Sequence, residues 1–249
     1  MRSSTRHQLK TDEFRATTVE TLGWAAENRS TLITAAIAVV VILAIILGGY
    51  AYINYRNQEA RGQLASALEK YNAPITTAGQ PPTPGELSYA SAAERAKAAN
   101  ADFTAVANKY SFTQSGHIAH YFEGITLRDM GDNAGAEKEL QQVASGWDKS
   151  TSGLAKLALA NLYADTNQAS KAIDLYKQLI DHPSDSVGKW TAEFQLAELY
   201  QANNQPQDAV KLYEDLQKES PTSPVGQVAT QKLRALGVGG GPMAPPMQQ

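Results

Sequence analysis

Residues 190–222 read WTAEFQLAELYQANNQPQDAVKLYEDLQKESPT, and they read as a hairpin of two helices. Leu196, Ala197 and Tyr200 mark the first helix, Ala209, Tyr213 and Leu216 mark the second, and Pro221 closes the unit. The logic is one of close approach. Small residues at facing positions let two antiparallel helices come together, and the large residues beside them lock the hairpin to its neighbour.

Working outward, the same pattern returns upstream. An Ala followed by a large apolar residue four positions on, and another three further, occurs at Ala99-Phe103-Val106, Ala136-Leu140-Val143, Ala172-Tyr176-Leu179 and Ala209-Tyr213-Leu216. The steps between the Ala positions are 37, 36 and 37 residues. Leu159-Ala160 with Tyr163 repeats Leu196-Ala197 with Tyr200, placing Ala160 against Ala172. One copy earlier, Gly124 takes the small position, Leu127 the large one, and Gly131 opens the turn. Pro183 closes the copy that holds Ala160 and Ala172, as Pro221 closes the last. The first copy is incomplete. Its second helix runs over about 92–110, but Ala73 to Ser88, APITTAGQPPTPGELS, is a loop with four Pro and two Gly, so the partner helix is expected at Gln58 to Tyr71. A last helix from Pro224 to Leu236 has no pair and reads as the polar cap a solenoid needs.

A fixed period of this length signals a stacked repeat. The pattern resembles the tetratricopeptide repeat, which has a small residue at its eighth position, an aromatic at its eleventh, Ala at its twentieth, an aromatic at its twenty-fourth and Pro near its thirty-second. Ala197, Tyr200, Ala209, Tyr213 and Pro221 match in turn. The period exceeds the usual 34 residues by two or three, which puts a longer loop in each repeat. In such stacks the first helix of each hairpin lines a concave face. The resemblance places Tyr121, Ile125, Arg128, Leu157, Asn161, Phe194 and Glu198 in that groove, suited to an extended or helical polypeptide. The competing reading is that Ile125, Leu157 and Phe194 pack against the linker or the next hairpin. Tyr163, Tyr176, Tyr200 and Tyr213 are read as scaffold.

A different signal lies nearer the N-terminus. From Ser30 to Tyr55 there are 26 residues without a charge, and Ile33 to Leu47 reads ITAAIAVVVILAIIL. At about 1.5 Å per residue such a run exceeds the roughly 30 Å of a bilayer's hydrocarbon. A buried core helix would keep a polar stripe, and this one has none. A cleaved signal would end at a small-x-small site, whereas the nearest Ala-x-Ala after the span, Ala65 to Ala67, lies well beyond the run. Trp24 before the span and Tyr50, Tyr52 and Tyr55 at its end occupy interfacial positions. Arg2, Arg6, Lys10, Arg15 and Arg29 precede the span, against Arg56, Arg61 and Lys70 just after it, which favours a cytoplasmic N-terminus. Phe14, Val19, Leu22 and Ala26 fall near helical spacing; a surface helix and a loose tail both fit the leader.

Composition narrows the chemistry. The chain has 249 residues, a net charge of -3 and no Cys. The charge argues against a nucleic-acid partner, and the missing thiols exclude disulfides, zinc-thiolate sites and thiol catalysis. No G-x-S-x-G, H-E-x-x-H or Walker sequence occurs. His117, His120 and Glu123 could share a helix face, but with no second cluster to complete coordination both imidazoles are read as exposed and no metal is expected. No catalytic residue, cofactor or small-molecule substrate is expected.

The expected fold is therefore all-α, one N-terminal transmembrane helix followed by a tetratricopeptide-like helix-hairpin solenoid. Its parts are a cytoplasmic leader at 1–29, the span at 30–55, a periplasmic repeat domain at 56–236 and a disordered tail at 237–249. This arrangement resembles the ancillary SecYEG translocon subunit, or YfgM-like, family. The resemblance implies a non-catalytic inner-membrane protein whose partners are the translocon, periplasmic chaperones or translocating polypeptides. A scaffold for another envelope complex, in cell-division coordination, secretion or pilus assembly, is the alternative.

Overall fold

The computed structural model describes residues 28–76 and 85–238. The leader positions Phe14, Val19, Leu22, Trp24 and Ala26, the middle of the Pro-rich loop and the tail from residue 239 lie outside them. Among the described residues there are nine helices, and the sole β feature is an isolated bridge between Ile75 and Tyr89. The chain divides into two units, Met1–Tyr55 and Arg56–Gln249. The first helix, α1 (Arg29–Asn72), contributes to both.

In the first unit the described chain is helical and apolar. An 18-residue window of α1 reaches a mean hydropathy of 2.9, and none of it is buried by other parts of the chain. Residues from Ile33 to Tyr55 such as Ile45, Leu47 and Tyr50 stand exposed. A helix this long and apolar can cross a membrane.

The second unit is a stack of helices. After the α1 segment come α2 (Ala92–Lys109), α3 (Gln114–Asp129), α4 (Asn133–Ala144), α5 (Lys149–Asp165), α6 (Ala169–Asp181), α7 (Lys189–Ala202), α8 (Pro206–Glu219) and α9 (Pro224–Ala235). Each packs mainly on its neighbours in sequence; α3 also touches α5, and α7 touches α9. The complete hairpins are α3/α4, α5/α6 and α7/α8. Ala60, Leu64 and Ala67 of α1 share a core with Ala99, Phe103 and Val106 of α2. There Phe103 stacks on Phe122 at 5.1 Å, and Tyr71 meets both rings edge-on.

The small positions do the work expected of them. Ala160 and Ala172 of α5/α6 and Ala197 and Ala209 of α7/α8 are fully buried, and Tyr176, Tyr213 and Leu216 fill the space beside them. Fully burying side chains of this size stabilises by roughly 1.5–3 kcal/mol each.

The turns inside the hairpins share one conformation. Gly131, Asn167 and Asn204 have φ of 84°, 59° and 58°, and Gly237 after α9 has φ of 78°. Next to each, an N–H reaches back to a carbonyl in the last turn: Asp132 to Leu127, Gln168 to Tyr163, Gln205 to Tyr200 and Val238 to Leu233, at 2.8–2.9 Å. This is the left-handed helix ending that Gly and Asn tolerate best. It aligns α9 with the first helices of the hairpins. The loops between hairpins are also related. The Thr113 hydroxyl caps α3 by accepting from Gly116 N–H, and Ser223 caps α9 by accepting from Gly226 N–H, each at 3.0 Å.

Candidate functional site

The ends of α3, α5 and α7 border a cleft of about 620 Å³. Arg128 of α3, Asn161 and Asp165 of α5, Tyr176 of α6, and Gln195 and Glu198 of α7 contribute to its wall. The stacking explains this convergence. First helices of successive hairpins lie side by side, so residues at matching turns come together from positions more than thirty apart.

Three of the groove residues expected from sequence, Arg128, Asn161 and Glu198, line this cleft together. The apolar four sit elsewhere. Ile125 is 7% exposed within the largest core cluster, and Tyr121 and Leu157, half-buried, pack against the same cluster. Phe194 lies against the last core, its ring 5.9 Å from that of Tyr213. The cleft wall is consequently more polar than the sequence pattern implied.

Its polar groups are oriented by their partners. The Tyr176 hydroxyl donates to Asn161 Oδ1 at 2.6 Å. Burial pushes the Tyr176 phenol well above its ordinary range, so it acts as a neutral donor. Glu198 accepts from Lys232 Nζ of α9 at 2.9 Å. Arg128 lies 3.4 Å from Asp129, whose other oxygen accepts from the Tyr71 hydroxyl at 3.0 Å. Burial and the Asp129 charge raise Tyr71 to about 12. Such a wall offers amide, carboxylate and guanidinium groups for a polypeptide backbone and polar side chains.

Tyr176, Asp165 and Gln195 were not singled out by sequence as site residues. Tyr176 satisfies the repeat pattern with its ring, and its hydroxyl bonds Asn161 of the cleft wall. Asp165 and Gln195 lack any distinguishing spacing and become legible only when the helices are stacked.

The two imidazoles of α3 are not free surface groups. His117 meets the Trp147 ring edge-on at 5.3 Å, and the His120 side chain is 15% exposed. Glu123 and Glu139 approach His120, and of the described residues these three form the single group whose donor atoms converge as a metal site requires.

Comparison with known proteins agrees with this architecture. The family described as "Tetratricopeptide repeat-like domain" matches residues 23–177, and the "Tetratricopeptide repeat" family matches residues 191–223. Among solved structures, the nearly identical TPR-like repeats of a protein described as a putative kinesin light chain from Podosopora anserina superpose with a TM-score of 0.53 at 17% identity. The match covers 73% of this chain and 88% of that one, and a single-residue variant of the same repeats gives the same values. At that identity the likeness establishes the fold. No curated protein sequence matches the chain.

Proposed function

This chain belongs to the tetratricopeptide repeat-like domain family, and from that membership we propose that it is a non-catalytic, membrane-anchored module that binds polypeptides. Residues 30–55 anchor it in the bacterial cytoplasmic membrane, with residues 1–29 in the cytoplasm, the repeat domain of 56–236 in the periplasm and the tail from 237 free. Five Lys and Arg before the span against three just after it support that orientation. The protein then serves as an accessory subunit of the SecYEG translocon, holding emerging segments for hand-over to periplasmic chaperones. Supporting this reading, the family match begins at residue 23 and runs through the apolar helix into α6, treating anchor and repeats as one unit. The observation that carries it is the cleft between α3, α5 and α7, where Arg128, Asn161 and Glu198 converge.

A photo-crosslinking residue placed at Gln195 or Asn203 of the full-length chain in native membranes tests the proposal. Crosslinks to many translocating polypeptides are expected. One stoichiometric envelope partner would replace the translocon role with that of a fixed scaffold, and an uncrosslinked cleft would remove the binding function from this surface.

A further inference from the structure

His120 and Glu123 stand one helical turn apart on α3, and Glu139 reaches them from α4. His120 Nδ1 lies 3.4 Å from Oε2 of Glu123 and 3.5 Å from Oε2 of Glu139. The three side chains are 15%, 14% and 14% exposed. Nδ1 itself is fully buried and makes no hydrogen bond with either carboxylate. Charge-assisted hydrogen bonds close to about 2.7–2.9 Å, so two carboxylates have converged on a ring nitrogen without bonding it.

The spacing has another meaning. Metal–donor bonds of about 2.0–2.1 Å in a tetrahedral site put neighbouring donor atoms about 3.4 Å apart. The outer oxygens are already held: Glu123 Oε1 accepts from the Thr104 hydroxyl at 2.8 Å, and Glu139 Oε1 from Lys138 Nζ at 3.1 Å. Support of this kind orients metal ligands. A divalent ion with neutral imidazole and two carboxylates sums to zero, and Lys138, on the outer oxygen of Glu139, is 79% exposed.

We propose that His120 Nδ1, Glu123 Oε2 and Glu139 Oε2 bind a divalent transition ion of the zinc type, water filling the fourth position. Calcium and magnesium call for more oxygen donors and larger coordination numbers than this set supplies. The site shares no residue with the cleft. Its effect is to bolt α3 to α4 in the first complete hairpin, and an ion that binds only the folded chain stabilises it by mass action.

The test uses the untagged full-length chain in detergent micelles, stripped with chelator and titrated with ZnCl2 by calorimetry and thermal denaturation. One equivalent should bind and raise Tm, and MgCl2 should do neither. His120→Gln and Glu139→Gln should each weaken Zn²⁺ binding about 10-fold or more and abolish the rise in Tm, while His182→Gln, at an exposed histidine, should behave as wild type. Absence of saturable binding, or binding that His120→Gln and Glu139→Gln leave intact, overturns the proposal. Should those variants fold poorly, the wild-type protein loaded with Co²⁺ decides: intense visible bands of a tetrahedral ion are expected, and a weak octahedral spectrum overturns the site.

Discussion

The hydroxyl of Tyr176 and the carboxamide oxygen of Asn161 lie 2.6 Å apart, joining α6 to α5 at the wall of the cleft. The bond commits the Asn161 oxygen to the scaffold, so that in the proposed binding role its amide NH2 is the group that would meet a chain. Tyr176→Phe and Asn161→Ala should each lower stability, and a double-mutant cycle should return a coupling of about 1 kcal/mol. Denaturant melts of the four forms measure it. Strict additivity would show that the two residues do not act as a pair.

The close approach within hairpins gives a second expectation. Ala172 and Ala209 are fully buried between helices, so Ala172→Leu or Ala209→Leu should cost about 1–3 kcal/mol through overpacking. Ala134 is exposed, and Ala134→Leu should be close to neutral. Equal melting temperatures for the three would contradict the hairpin register.

Replacing Gly by Ala inside a helix ordinarily stabilises by about 1 kcal/mol, and here the sign should depend on position. A Cβ on Gly226 would run into the carbonyl oxygen of Ser220, and one on Gly116 into that of Tyr110, whereas nothing lies within 4 Å of a Cβ at Gly62. Gly226→Ala and Gly116→Ala should therefore lower Tm while Gly62→Ala raises it. Three shifts of the same sign would refute the close approach.

Glu193 supplies a pH dependence. It is 6% exposed, its Oε2 has no hydrogen-bond partner, and Lys189 stands 3.3 Å away. Burial raises its pKa above the ordinary 4.5, against the pull of Lys189. The folded state thus holds this proton more tightly than the unfolded chain, and the associated stability is lost as pH rises through the folded-state value. Glu193→Gln should raise Tm at neutral pH, with the gain shrinking as pH falls toward 4.5. A gain that persists unchanged in acid would exclude the carboxylate as its source.

Cleft and core residues should separate cleanly. Arg128→Ala should reduce crosslinking from the cleft with little change in Tm, because Arg128 sits in the cleft wall beside Asp129. Phe194→Ala should lower Tm with normal crosslinking per folded molecule, because its ring packs on Tyr213. The opposite pattern would return the binding surface to the apolar positions.

Much of the scaffold is legible from the chain because its packing rule is local. Ala172 and Tyr176, or Ala209 and Tyr213, lie one helical turn apart, so one helix face announces itself in the letters. The turns were harder to see. Gly131 looks unlike Asn167 and Asn204, yet what the three share is tolerance of a left-handed backbone, a property of conformation rather than of side-chain size. The cleft was legible only in part, since Arg128, Asn161 and Glu198 follow from the helix register while Tyr176 joins them from the second helix of a hairpin. Glu139 could not be joined to His120 from sequence, because the two meet through the hairpin's lateral alignment.

Because each helix leans mainly on the one before and the one after it, and beyond those only on the first helix of an adjoining repeat, the stack is a row of links in series. A disturbance at α9 can reach α2 only by passing through each hairpin between them. The last hairpin can therefore fray, or be grasped by a partner, while the first stays intact. Such a chain yields by degrees, giving way at one end first, where a globular domain of equal length would fail all at once.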